Sequence, residues 1–140
     1  MRICFAALLL VSAPHVATGD AGKEELEKLA GTWDLVSFEI DGQKELVKDG
    51  RLVIQGDTMK TYVGGKLVSE ATFSVDSTKK PKRIDWQSIK PRAGIKSIGI
   101  YELDGDGLKL CGTEGKERPT AFTPTKENGW GLSVFKRAKK

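Results

Sequence analysis

The chain has 140 residues, 23 lysines and arginines against 19 aspartates and glutamates, a net charge of +4, and one histidine, His15. That length suits a single domain with at most a short appendage. His15 and Cys4 both fall in the first nineteen residues, so a domain starting after them has no histidine and one cysteine, Cys111. Such a domain cannot build a Ser-His-Asp or Cys-His nucleophile, an intrachain disulfide or an ordinary zinc site.

Residues 1–19 read as a secretory signal peptide. Met1-Arg2 supplies a positive start, Ile3 to Ala13 is almost wholly apolar, and Ala17 and Gly19 have the spacing a signal peptidase needs. A core of about a dozen apolar residues is well short of the ~20 that span a bilayer, although an uncleaved anchor is the alternative. Cys4 precedes the apolar run, which argues against a lipoprotein. The expected location is secreted or periplasmic, with residues 20–140 as one domain.

Asp20 to Ala30 predicts a short helix, with Leu26 and Leu29 as a narrow stripe among charged residues and Gly31 as the stop. From Thr32 the punctuation is that of β structure. Thr32 to Ile40 ends at Asp41-Gly42, a hairpin signal. Arg51 to Gln55, Met59 to Val63 and Leu67 to Asp76 follow, the last alternating between apolar and polar positions. Next come Arg83 to Gln87, then Ile95 to Leu103 and Leu108 to Cys111 joined at Asp104-Gly105-Asp106-Gly107. Ala121 to Thr123 adds a short strand, and Leu132 to Arg137 is the last. Eight or nine strands at short, even spacing, with no room for a parallel crossover, predict an all-β fold closed or nearly closed into an antiparallel barrel.

A short helix followed by Gly31-Thr32-Trp33 resembles the Gly-x-Trp signature of lipocalins and other calycins. The strings LAGTWDLVSFEIDG, KKPKRIDW, IGIYELDGDGLKLC and KERPTAF, with a terminal FKR, resemble a lipocalin-like domain family abundant in Planctomycetes. The resemblance spans Leu29 to Arg137 and implies a lipocalin-like barrel, with no established activity attached. It also implies that Trp33 plugs one end of the barrel under the cation of Arg137, or failing that Lys136, with Gly31, Trp33 and Arg137 as structural closure.

Other groups are weighed on their chemistry. Glu102, Asp104 and Asp106 partly match a calcium loop, but the twelfth position is Thr113, and Asp-Gly-Asp-Gly also suits a tight turn. Lys79, Lys80, Lys82 and Arg83, echoed by Lys136, Arg137, Lys139 and Lys140, read as solvated loops more readily than as an anion site. Export and the absence of a stacking motif argue against nucleic acid. Asp34, Glu39, Glu70, Asp85 and Glu102 lie on strands, but nothing in their spacing makes two of them a catalytic pair. Cys111 reads as a small buried residue, with a reactive or interchain thiol as the alternative.

Tyr62, Phe73, Ile84, Trp86, Ile98 and Ile100 are the residues expected to face the barrel interior. If they line a cavity, the protein binds a small apolar or amphipathic ligand. If they fill it, the barrel is a protein-interaction or cell-envelope structural module. No enzyme activity, cofactor or metal is expected, and the chain is expected to be monomeric.

Overall fold

The computed structural model describes residues 20–115 and 117–139. The expected signal peptide, residues 1–19, lies outside them. The chain runs through α1 (Asp20–Leu29), β1 (Gly31–Ile40), β2 (Gln43–Leu46), β3 (Gly50–Gln55), β4 (Thr58–Val63), β5 (Lys66–Asp76), β6 (Lys82–Lys90), β7 (Lys96–Asp104), β8 (Gly107–Thr113) and β9 (Gly131–Arg137). Every strand pairs antiparallel with its neighbour, and β9 returns to pair with β1 from Trp33↔Arg137 to Ile40↔Gly131. Eight strands, β1 and β3 to β9, therefore form a closed barrel, and closure removes the sheet edges that would otherwise pair with other chains.

β2 is the additional strand and was not foreseen from the sequence. Its four residues, Gln-Lys-Glu-Leu, carry neither β-branched nor aromatic side chains, and all four are exposed. It exists because Asp41 and Gly42, both at positive φ, turn the chain back onto the second half of β1. The short strand expected over Ala121 to Thr123 does not form. That segment belongs to the 114–130 connection, which crosses the outer face of the barrel.

One end of the barrel is closed and filled. Leu29, Trp33, Leu52, Ile54, Ile84, Tyr101, Leu108 and Phe135 are buried in a continuous core, with α1 across its base. Trp33 donates its indole N–H to the Leu29 carbonyl at 2.9 Å. The Arg137 guanidinium lies 4.1 Å from the Trp33 ring centroid. It also donates to the carbonyls of Lys28 (3.0 Å) and Ala30 (3.2 Å). These carbonyls end α1 with no helical partner, so the last strand caps the first helix. Gly31 is required twice at this junction. Its φ is +128°, and a Cβ would stand 3.1 Å from an Arg137 nitrogen.

Candidate functional site

The opposite end of the barrel is built differently. Cross-strand partners share a face, so register identifies the residues that make up one interior layer. Ile84 pairs with Gly99, Gly99 with Gly112, Gly112 with Gly131, and Gly131 with Ile40. Three adjacent strands thus contribute no side chain to this layer. Glycine inside a strand weakens it and commonly marks a place where something approaches the backbone closely.

Part of that space is taken by the protein itself. The benzo edge of Trp86 rests on Gly99 and Gly112, and a Cβ at Gly112 would overlap the ring. At Gly131 a Cβ would make only ordinary contact, 3.5 Å from the Phe38 ring. The remainder is a cavity of about 470 Å³ bounded by Phe38, Ile40, Trp86, Ser97, Leu110 and Ser133. Its volume lies in the range, ~300–1,000 Å³, typical of small-molecule sites. A second cavity of about 200 Å³ shares Trp86, Ser97 and Glu114 with it and extends to Ser69, Ser88 and Lys90. Arg92 and Glu114, from the two neighbouring loops, pair at 3.0 Å across the rim.

Of the six residues expected inside the barrel, Trp86 lines this cavity. Phe73 and Ile84 are interior but belong to the packed core. The other three are corrected by register. Ile100 stands on the outer wall, in a second small cluster with Cys111 and Leu132 that Phe122 and Trp130 cover. Ile98 shares that outer face and pairs with Asp85. Tyr62 pairs with Arg51, whose guanidinium meets Asp34 at 3.0 Å on the exposed side of β3. Ile98-Gly99-Ile100-Tyr101 is apolar at almost every position because both faces of β7 are covered, so alternation could not separate inside from outside. Phe38, Ser97, Leu110 and Ser133 were missed. Glycines within three strands were the available signal.

Two of the strand carboxylates are held by arginines. Asp34 is bound by Arg51, and Asp85 accepts from Arg118 at 2.6 Å. Arg118 also donates to the Gly99 carbonyl at 2.9 Å, fixing the 114–130 connection to the barrel wall. Glu102 is exposed. Lys79, Lys80 and Arg83 are exposed as well, whereas Lys82 reaches Glu25 at 2.9 Å.

Glu25 is the unforeseen residue of the closed end. It reads as one more charge in a charged helix, yet it is only 4% exposed and accepts from the Tyr101 hydroxyl at 2.6 Å. It lies on the same side of α1 as Leu26 and Leu29, which was the clue to its burial. Burial pushes its pKa up, but the hydrogen bonds from Tyr101 and Lys82 outweigh this and hold it below the usual 4.5. Tyr101 moves the opposite way, well above 10, through burial and then its bond to Glu25. Among the described residues this ionic network sits beneath the filled core, away from the cavity, and its evident role is to seat the helix.

No protein-family model, curated protein or solved structure matches the chain.

Proposed function

We propose that this is an exported, non-catalytic binding protein that holds a small, largely apolar ligand in the open end of its barrel. The glycine row Gly99–Gly112–Gly131 carries the reading. A barrel selected only to be solid would place packing side chains there, because interior voids cost stability. Here two glycines, Gly99 and Gly112, make room for the Trp86 ring, the third, Gly131, leaves its position open, and a cavity of about 470 Å³ lies between Trp86 and Gly131. Apolar walls from Phe38, Ile40, Trp86 and Leu110 with a few hydroxyls are what small-ligand sites use. The apolar leader over residues 1–19 supports export. A monomer that needs no metal or cofactor is sufficient for such binding.

Native mass spectrometry of the protein purified without detergent tests the proposal. An added mass that disappears on denaturation, and that Trp86→Ala removes, is the expected result. A bare mass that stays unchanged on titration with apolar compounds would overturn it.

A further inference from the structure

Resting on that reading of the cavity, we infer that the ligand is an uncharged planar ring system bearing a hydroxyl or carbonyl group, and not a flexible acyl chain. The shape of the space argues for a ring. Below it the lumen is occupied by Tyr101, Leu108 and Phe135, all under a tenth exposed, so there is no deep tube to receive a chain. Beside it Trp86 covers Gly99 and Gly112, and Gly131 presents bare backbone next to the Phe38 ring. Aromatic rings prefer offset or edge contact with other rings, and a planar guest between Trp86 and Phe38 gains that contact over Gly131.

Ser97 specifies the polar group. It is 8% exposed and borders both cavities, and among the described residues its hydroxyl makes no hydrogen bond. A buried hydroxyl without a partner is costly, and a ligand oxygen would satisfy it. Ser133 offers a second hydroxyl on the same wall. Among the described residues, no unpaired charge on the wall of the larger cavity calls for an ionic group. Its one carboxylate, Glu114, is already paired with Arg92.

The test titrates the full chain with hydroxyflavone, with unsubstituted flavone and with dodecanol, followed by calorimetry and tryptophan fluorescence. Hydroxyflavone is expected to bind, with flavone weaker by about tenfold, the usual scale for a lost buried hydrogen bond. Ser97→Ala is expected to erase the difference between the two flavones. Gly131→Leu, which projects into the cavity, weakens both. Neither substitution touches the filled core, and an unchanged circular dichroism spectrum checks that. Equal affinity for the two flavones, unaltered by Ser97→Ala, would overturn the hydrogen-bond assignment. Tighter binding of dodecanol than of either flavone, sensitive to Gly131→Leu, would overturn the planar ligand while leaving a binding cavity. If no probe binds and Gly131→Leu changes nothing, the binding proposal fails as well.

Discussion

At the scale of single residues, the closed end turns on a buried acid. The Glu25 carboxylate is held by Tyr101 and Lys82, so its pKa lies below the ordinary value in the folded protein and returns to about 4.5 on unfolding. The stability this contributes is complete above about pH 4.5 and is lost as pH falls through the depressed folded value. For Tyr101 the folded pKa is raised above 10, so its contribution is complete below pH 10 and lost as pH rises beyond it. Tyr101→Phe should therefore do two things in urea melts taken across pH. It should cost about 1–2 kcal/mol at neutral pH, for one hydrogen bond to a charged acceptor. It should also shrink both the loss of stability above pH 10, to which the raised Cys111 thiol contributes as well, and the one below pH 4.5. Unchanged stability at every pH would mean the Tyr101 ring serves only to fill space. Glu25→Ala should cost more, about 2–3 kcal/mol, because it leaves a buried hydroxyl unsatisfied.

At the scale of elements, the 114–130 connection behaves as a small second layer. Arg118 ties it to β6 and β7, and Phe122 and Trp130 cover Ile100, Cys111 and Leu132. Burial, and then the charge of Glu39, push the Cys111 thiol up to about 11, and its Sγ lies 3.6 Å from the Ala121 carbonyl. A buried, protonated thiol is neither a ready nucleophile nor placed to bridge two chains. Labelling of Cys111 by a thiol reagent at pH 8 should be slow in the intact protein. Arg118→Ala should raise the rate about tenfold, equivalent to ~1.4 kcal/mol less protection against local opening. An unchanged rate would show that the connection is held by its apolar contacts alone.

This element also marks where sequence reading runs out. β5 was legible as a strand, and its facing from Ala71 to Val75, but a bulge shifts the register before Ser69 and pairs Leu67 with the outward Tyr62. The helix, the hairpin at Asp41-Gly42 and the eight barrel strands were legible for the same reason, since turn residues and periodicity act locally. Ile100 and Ile98 were not. Their facing depends on a distant loop folding over the outer wall, and no local pattern encodes that cover. The cavity was half legible. Trp86 was found as a large apolar residue on an alternating strand, but the glycines that seat its ring, Gly99 and Gly112, and the one that leaves space beside it, Gly131, are brought into line only by the register of three strands.

At the scale of the whole molecule, one lumen is divided into a packed half and a hollow half, and the two should answer substitution with opposite signs. Leu108 is 1% exposed in the packed half, and Leu108→Ala should destabilise by about 3 kcal/mol, through lost transfer energy and the void left behind. Gly131 is in the hollow half. A Cβ there meets Phe38 at 3.5 Å, and its φ is not in the region that favours glycine. Gly131→Val therefore adds buried apolar surface and strand propensity without a clash. It should change stability by no more than about 1 kcal/mol, towards greater stability. Gly112→Val, one strand away in the same layer, should destabilise because its side chain would collide with Trp86. Urea midpoints for the three variants distinguish a hollow that exists for a guest from one that is merely loose. A penalty at Gly131 as large as that at Gly112 would mean the layer tolerates no added atoms. If Gly131→Val is stabilising and also removes the ligand mass seen by native spectrometry, the open space is kept for binding at the expense of stability.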